Sequence, residues 1–547
     1  MVVTLAACSL WATPTLAQPA GELEASPAAA ATPPKPRPSR FDIDEFEIQG
    51  ADKLKQIDVE EAVYPFLGPN RSAADVEKAR AALEKAYHDR GFQTVGVAVP
   101  DQDPERRVIV LKVTEQRIGQ VRVNGSRYFD LNHIRDNAPA VAEGKLPNFN
   151  EISKDIVRLN QLPDRRVTPA LRAGATPGTV DIDLNVEDKF PLHASVELNN
   201  RNSPNTKDLR LVSTIHYDNL WQLGHSLNVS YQMAPQARDQ VEVWSGSYLW
   251  RPYDEDRVNI LVYGVDSKSS VATVGGINVV GPGQIIGTRA IATLPGLDGF
   301  FHTVSAGVDY KHFDQSVELD AASSSTPVTY YPLSINYNAT WQGEGSLTQF
   351  GAGLIHGVRG LGSDPLDFDN KRYKATGNFS VLKADLSQTV ELPHGFQLFG
   401  KAQGQASDQP LVSSEQFSVG GLDTVRGYLE SETVGDYGAA GTIELRSPDL
   451  VALFRDTFKP ETPADGPQIQ LFNEMRLFAF GDRGVTAIYE PLPEQDDKFD
   501  LASYGFGTRF RALDYFNGQV AYAIPLIEQA STKANHARVL FRFWGEF

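Results

Sequence analysis

The chain has 547 residues, enough for two or three structural units. Its formal net charge is −18, from 69 acidic and 51 basic residues, which excludes the basic surface that nucleic-acid binding requires. The one cysteine, Cys8, lies in a segment that we expect to be cleaved, so neither a disulfide framework nor a cysteine-based metal site is predicted.

The first 17 residues have the composition of an export signal. They are apolar and rich in small side chains, and Thr15-Leu16-Ala17 resembles a signal-peptidase site. No basic segment precedes them, which is consistent with a truncated start. Cys8 also matches a lipoprotein acylation box, but so few residues precede it that plain secretion is favoured. The Ala/Pro-rich residues 18–40 are predicted to form an extended linker.

Two consecutive modules of about 75 residues share one order of elements, strand, two helices and two strands. In the first module, residues 41–115, the predicted elements are strand Asp44–Gln49, helix Leu54–Leu67, a helix with a capping box at Ser72 and a stop at Gly91, and strands Thr94–Val99 and Arg107–Val113. In the second, residues 116–189, they are strand Arg117–Val123, helices Leu131–Asn137 and Phe149–Leu162, and strands Val167–Arg172 and Thr179–Val186. This pattern predicts a tandem repeat of a small α+β domain, but it also fits a generic α+β domain pair.

From residue 190 to 547 the helical periodicity gives way to long segments that alternate apolar and polar residues. Four clear examples are Leu209–Asp218, Ser226–Gln232, Gln468–Asp482 and Val539–Phe547. Charged residues on one face and apolar residues on the other are typical of a barrel whose outside meets lipid. About sixteen such segments predict an all-β transmembrane barrel of about 16 antiparallel strands. The alternative is a large soluble β-sandwich, which would need its apolar faces buried against each other.

A short motif with one arginine stands out in the glycine-rich loop before the twelfth predicted strand. It reads Val425-Arg426-Gly427-Tyr428. The alternation of the thirteenth predicted strand places Asp482 on the same polar face as Glu474 and Arg476. A second Val-Arg-Gly, at Val358-Arg359-Gly360, is followed by Leu361 and has no matching partner motif.

No pattern of catalytic or cofactor-binding residues is present. Neither Gly-x-Ser-x-Gly nor His-Glu-x-x-His occurs, and Gly281-Pro282-Gly283 and Gly351-Ala352-Gly353 lack the strand–helix context of a nucleotide loop. The ten histidines show no ligand spacing. The sequence therefore predicts a protein that is not an enzyme and has no cofactor or metal site.

With these residues in view, the chain resembles a known family over residues 41–547. The two modules resemble POTRA domains, and the barrel resembles the superfamily of the Bam and Tam outer-membrane assembly proteins. Two modules with about sixteen strands are most similar to two-partner secretion transporters, the haemolysin secretion/activation family that exports haemolysins and filamentous haemagglutinins. The beginning of the barrel resembles that subgroup at Val196–Arg201, Asp218–Leu220 and Gly224–Leu227.

The resemblance implies a location, a function and partners. It implies a barrel in the outer membrane of a Gram-negative bacterium, with the POTRA domains in the periplasm. It implies export of a partner exoprotein of the haemolysin or adhesin type. Besides that exoprotein, the implied partners are the lipid bilayer and the outer-membrane assembly machinery, and we expect a monomeric barrel.

The resemblance also assigns roles to individual residues. The loop motif Val425, Arg426, Gly427 and Tyr428 is expected inside the barrel. Arg426 is expected to pair with Asp482 of the motif Phe480-Gly481-Asp482-Arg483-Gly484, which matches Phe-x-Asp-x-Gly. The C-terminal strand, with Phe541, Phe543 and Phe547, is expected to be recognised by the assembly machinery. Some family members carry an N-terminal plug helix, which the Pro-rich residues 19–40 make doubtful here.

Two other functions remain open on the sequence. The first is an outer-membrane assembly factor that inserts barrels by opening its own seam, although such proteins commonly have more than two modules. The second is a passive porin or ligand-gated channel, which needs no periplasmic capture domains.

Overall fold

The computed structural model describes residues 40–103, 106–252, 258–269, 271–274, 277–314, 316–319, 322–454 and 471–547. The predicted signal segment, residues 1–17, and the linker up to residue 39 lie outside the described residues. The chain divides into two compact units, with the boundary between Glu115 and Gln116.

The first unit is an α+β domain with a three-stranded sheet of order β2-β5-β4, in which β2 and β5 are parallel. Its elements are β1 (Phe41–Ile43), β2 (Glu45–Gln49), α1 (Gln56–Val63), β3 (Gly68–Arg71), α2 (Ala73–His88), β4 (Gly96–Ala98) and β5 (Val108–Thr114). The capping box at Ser72 is confirmed, with Asp75 as its reciprocal partner. Strand β3, which pairs with β1, has no period-two pattern and was not predicted.

The second module repeats this plan and belongs to the second unit. Its elements are β6 (Arg117–Asn124), α3 (Leu131–Asp136), α4 (Phe149–Leu159), β7 (Arg165–Ala173) and β8 (Thr179–Asp188). The sheet order is β6-β8-β7, again with one parallel pair, β6–β8. Its core is formed mainly by aliphatic side chains from the helices and strands, among them Ile134, Ile152, Leu159, Ile182 and Leu184.

The remainder of the second unit forms a closed barrel of sixteen strands, all paired antiparallel. In chain order its elements are β9 (Leu192–Asn199), β10 (Arg210–Leu220), β11 (His225–Met233), β12 (Glu242–Trp250), β13 (Val258–Ser267), β14 (Val271–Val274), β15 (Ile277–Val280), β16 (Gly283–Thr293), β17 (Phe300–Phe313), β18 (Ser316–Leu319), β19 (Ala322–Ser325), β20 (Val328–Gly343), β21 (Ser346–Gly362), α5 (Pro365–Lys371), β22 (Ser380–Glu391), β23 (Gln397–Ser407), β24 (Phe417–Val419), β25 (Thr433–Gly435), β26 (Tyr437–Arg446), α6 (Leu450–Phe454), β27 (Phe472–Ala487), β28 (Lys498–Ala512), β29 (Phe516–Pro525) and β30 (Arg538–Glu546). Three further strand pairs, β14–β15, β18–β19 and β24–β25, form separate two-stranded sheets that are not part of the barrel wall. The predicted barrel is therefore confirmed, with the strand count as expected.

Side chains alternate across the wall as the sequence predicts. On β27, Leu477 is 47 % exposed on the outer face, whereas its neighbours Phe478 and Phe480 are 4 % and 6 % exposed on the inner face. Strands β20 and β21 have 16 and 17 residues and exceed the ~9–11 residues that cross a bilayer. Both strands are therefore longer than one crossing requires.

None of the helices that the structure describes is both long and apolar enough to span a membrane.

The barrel closes at a short seam between β30 and β9. These strands are in register over five residue pairs, whereas neighbouring pairs such as β9–β10 and β29–β30 are in register over eight. At one end, Phe547 and Ala194 exchange backbone hydrogen bonds of 2.9 and 3.0 Å. At the other end, the Asn200 side chain bonds the backbone of Val539 and Phe541 in place of a further strand residue. Phe547 thus contributes directly to closure.

Candidate functional site

The connection between β23 and β26, residues 408–436, folds into the barrel, and we call it the lumenal loop. Near its start, the Glu415 carboxylate accepts bonds from Lys311 of β17 and Tyr330 of β20, at 2.5 and 2.7 Å. Further along, Arg426 binds β26 and β27, and the Tyr428 ring is fully buried. Counted around the barrel, β17 and β20 are the seventh and eighth of the sixteen wall strands, and β26 and β27 are the twelfth and thirteenth. A loop that reaches both sets of strands must cross the interior.

Arg426 is bound to Asp482 through three hydrogen bonds. Its Nε and Nη2 donate to the two carboxylate oxygens at 2.8 Å each, and its backbone N–H donates to Oδ2 at 3.0 Å. Both side chains are almost fully buried, at 4 % and 0 % exposure. A planar guanidinium that meets a carboxylate with two parallel bonds is the strongest form of such a pair. The structure therefore brings together the two residues that the sequence motifs relate.

Two aromatic rings on β27 support this guanidinium. The Arg426 guanidinium carbon lies 3.4 Å from the ring centroid of Phe480, and Phe478 lies farther away at 5.9 Å. A cation over an aromatic face gains electrostatic stabilisation, and more so away from water. This contact gives Phe480 of the predicted motif a physical role, because its ring packs against the guanidinium group of Arg426.

Glu444 is a second acceptor that the sequence motifs do not include. It accepts from Arg426 Nη1 at 2.8 Å, from Arg446 at 2.8 Å and from Arg509 at 2.6 Å. The cluster therefore holds three guanidinium groups against two carboxylates, Glu444 and Asp482. Alternation along β26 could have placed Glu444 on the inner face, but its pairing with Arg426 depends on the depth that the loop reaches.

The other motif residues fix the position of Arg426. Val425 is fully buried in a cluster with Val419, Tyr428 and Leu501. The Tyr428 hydroxyl lies within hydrogen-bond distance of the backbone carbonyl oxygens of Ala502, at 3.1 Å, and Ile527, at 2.8 Å, and it accepts from the Ile527 N–H at 3.1 Å. Its ring and hydroxyl thus anchor the loop to strand β28 and to the connection after β29.

The two motif glycines are required by conformation and by close approach. Gly427 has φ +93°, a region that L side chains rarely adopt. A Cβ on Gly484 would lie 2.5 Å from Val419 Cγ1 and 3.0 Å from Val425 Cγ2. The loop therefore packs directly on the wall at Gly484, which accounts for this glycine in the second motif.

A second set of ion pairs joins the lumenal loop to the seam. Arg201, just after β9, donates to Glu430 at 2.9 Å and to Asp423 at 2.7 Å. On the other side of the seam, Glu432 accepts from the Ser531 backbone at 3.0 Å and from Thr532 Oγ1 at 2.7 Å, both in the connection before β30. The loop is therefore bound to the segments that flank both strands of the closing pair.

The second Val-Arg-Gly segment lies in a different environment. Arg359 is part of strand β21 and is exposed. The three residues alone therefore do not specify a buried arginine like Arg426.

Two of the three predicted C-terminal residues, Phe541 and Phe543, lie on the outer face of the last strand. Phe541 and Phe543 stack on each other with a centroid distance of 5.5 Å, and Phe543 also packs on Phe516 of β29 at 6.2 Å. Phe547 follows β30, stacks on Tyr515 and is 69 % exposed. The three rings present an aromatic surface at the seam.

Comparisons with known proteins agree with this architecture. The family model described as "Haemolysin secretion/activation protein ShlB/FhaC/HecB" matches residues 178–471, and "POTRA domain, ShlB-type" matches residues 41–116. The chain belongs to this family. It is an outer-membrane translocator of two-partner secretion, with its POTRA domains in the periplasm, and members of this family act with secreted exoprotein partners.

Individual relatives are similar over most of their length. The outer membrane transporter CdiB of Dickeya dadantii is 22 % identical over 419 residues, which cover 74 % of this chain and 72 % of that protein. The heme/hemopexin transporter protein HuxB of Haemophilus influenzae is 20 % identical over 486 residues, which cover 88 % of this chain and 81 % of that protein.

Two solved structures share the fold. CdiB from Escherichia coli superimposes with a TM-score of 0.67 at 18 % identity, over 95 % of this chain and 93 % of that one. BamA from Haemophilus ducreyi, lacking POTRA domains 1–3, superimposes with a TM-score of 0.53 at 13 % identity, over 93 % of this chain and 100 % of that one.

Proposed function

We propose that the chain exports one large, unfolded exoprotein of the haemolysin or adhesin type through its own lumen, and that release of the lumenal loop opens the path. The loop's course across the interior carries this proposal. A polypeptide cannot pass while the loop is bound to the wall at Glu415, Arg426 and Tyr428. The ion pairs of Arg426 then act as a latch that holds the loop until substrate arrives.

Capture begins at the first POTRA domain. Its strand β2 is an edge strand, which can accept an extended peptide as an added strand. Beside it, the groove between β2 and α1 is lined by Phe46, Ile48, Val59 and other apolar residues. Ile57 and Tyr64 are 68 % and 73 % exposed on the same helical segment. Main-chain bonds to β2 supply affinity for any unfolded segment, and the groove selects apolar side chains.

Net movement comes from the far side of the membrane. The periplasm holds no ATP, so progress depends on the substrate folding as it emerges. A folded domain is stable by about 5–15 kcal/mol, which makes backward movement of an emerged segment unfavourable. We assign no catalytic step to the chain, since its buried loop charges are engaged in ion pairs.

The C-terminal aromatic residues serve insertion rather than transport in this proposal. Phe541, Phe543 and Phe547 form an exposed edge that the assembly machinery can recognise before the seam closes. The closed ladder leaves no free strand edge in the wall, which is consistent with a monomeric barrel.

A reversible cross-link tests the requirement for loop movement. The Cβ of a residue at 484 would lie 3.0 Å from Val425 Cγ2, which is one bond from the Val425 Cβ, so cysteines at both positions come near the ~3.5–4.5 Å Cβ separation of a disulfide. The variant combines Val425→Cys and Gly484→Cys with Val419→Ala to make room, and Cys8→Ser removes the chain's own thiol.

The oxidised variant is expected to lose secretion, and a reductant is expected to restore it. Each single-cysteine variant in the same background is the matched control and should secrete under both conditions. Secretion at the wild-type rate with the cross-link formed would overturn the latch.

The short seam is the feature that the alternative function, barrel insertion, would use. The seam has five residue pairs, whereas the strand pairs on either side of it have eight each, so fewer backbone contacts hold it closed. However, the loop binds both sides through Arg201 and Glu432, so opening the seam also requires the loop to leave.

A further inference from the structure

Two histidines meet at the periplasmic end of the first barrel strands. His193 of β9 is the direct cross-strand partner of His216 of β10. Their rings are stacked, with a centroid distance of 4.7 Å and an interplanar angle of 19°. His193 shares its face of β9 with Glu197, whose carboxylate binds Arg542, so the pair faces the mouth of the lumen.

Two carboxylates complete the group. Asp218, two residues after His216 on the same face, lies 3.1 Å from His216 Nε2. Asp164, just before β7 in the second POTRA domain, places both oxygens 2.8 and 2.9 Å from His193 Nε2. Its side chain is 4 % exposed and that of Asp218 is 13 % exposed.

The charge of this group is unbalanced. Within the described part of the chain, the ion-pair partners of Asp164 and Asp218 are the histidines alone. With neutral imidazoles the group carries two negative charges in a partly buried position, which is costly without a cation. The guanidinium of Arg251 donates hydrogen bonds to the Gly224 carbonyl and to Ser226 Oγ.

We propose that His193, His216 and Asp218 form a transition-metal site, of the class that Zn²⁺ occupies. Donor atoms of these three residues all lie within 4.8 Å of one another. Ligand distances of ~2.0–2.2 Å around Zn²⁺ require donors roughly 3.3 Å apart, which small rotations of three side chains supply. Two imidazoles and one carboxylate suit a borderline metal, with a fourth position left for water.

Asp164 acts as the positioning residue of this site. A carboxylate that accepts from one imidazole nitrogen leaves the other nitrogen with its lone pair, which is the arrangement found behind most metal-bound histidines. Because Asp164 belongs to the second POTRA domain and the ligands belong to β9 and β10, a bound ion fastens that domain to the first two strands.

The test uses full-length protein in detergent, purified without a polyhistidine tag and stripped with a chelator. Co²⁺ is the spectroscopic probe and Zn²⁺ the competitor. We expect one Co²⁺ per chain with micromolar or tighter affinity, a tetrahedral visible spectrum that Zn²⁺ abolishes, and a higher melting temperature with Zn²⁺. His216→Ala should weaken binding at least 100-fold, and Asp164→Asn should weaken it by ~10–100-fold.

His312→Ala is the matched control. His312 is also a barrel-strand histidine beside one aspartate, with Nε2 3.1 Å from Asp314, and it has the same 29 % side-chain exposure as His193. This variant should bind as the wild type does. The site is refuted if wild type and His216→Ala bind Co²⁺ equally, if His312→Ala loses binding as His216→Ala does, or if wild-type affinity is weaker than ~100 µM. Each variant is first checked for a folded barrel by heat-dependent electrophoretic mobility.

Discussion

Replacing Arg426 should release the lumenal loop while the barrel stays folded. Arg426→Ala removes two side-chain bonds to Asp482 and one to Glu444. Glu444 keeps Arg446 and Arg509. Among the described residues, Asp482 keeps only the backbone N–H of residue 426 and becomes a buried carboxylate without a cation. Breaking a buried ion pair in this way costs about 3–5 kcal/mol. The equilibrium between docked and released loop should therefore shift by roughly 10²–10⁴-fold.

Protease cleavage within residues 408–436 measures this shift in purified protein, because cleavage of an opened segment follows its population. Arg476→Ala is the control. Arg476 faces the same lumen and binds Glu474 at 2.7 Å, but both groups are more exposed, so its loss should cost at most ~1 kcal/mol. In the double variant Arg426→Ala/Asp482→Ala, the loss of docking free energy should be smaller than the sum of the losses in the two single variants. Equal cleavage of Arg426→Ala and Arg476→Ala, or an additive double variant, would refute the latch.

Three further substitutions test the packing of the loop and its hold on the seam. Gly484→Ala should weaken loop docking by about 1–3 kcal/mol through overpacking, whereas Gly481→Ala, with nothing within 4 Å of its added carbon, should be neutral in the same cleavage assay. Tyr428→Phe should cost about 1–2 kcal/mol because the backbone groups of Ala502 and Ile527 lose the single hydroxyl that they share, and Tyr504→Phe on the exposed outer face should not change the cleavage rate. Arg201→Ala should raise the conductance of the barrel in planar bilayers by freeing the loop from the seam, and unchanged conductance would contradict this role.

Much of the fold could be predicted from the sequence because periodicity reports it directly. Alternation requires one face of each strand to meet lipid, so the sixteen strands and the inner position of Asp482 follow from parity. The capping box at Ser72 is likewise a local signal and is present in the structure. Strand β3 was missed because Gly68–Arg71 contains a proline and a glycine and carries no alternation.

The contents of the lumen could be predicted only in part. The two motifs relate Arg426 to Asp482, but neither indicates Glu444, whose role depends on how deeply the loop descends. Nor does sequence spacing indicate that His193 and His216 meet, because their 23-residue separation becomes a contact only through the register of β9 and β10. Long-range contacts of this kind are set by strand pairing and loop depth rather than by local pattern.

Secretion of the partner exoprotein is the most direct test of the central claim. The partner exoprotein would be quantified in the medium and in the periplasm of cells that lack the chain, and porin levels would be measured in the same membranes. We predict that the exoprotein disappears from the medium, that porin levels stay unchanged, and that wild-type chain restores secretion while the oxidised variant cross-linked between positions 425 and 484 does not. Undiminished exoprotein in the medium, or a parallel loss of porins, would contradict a translocator governed by its lumenal loop.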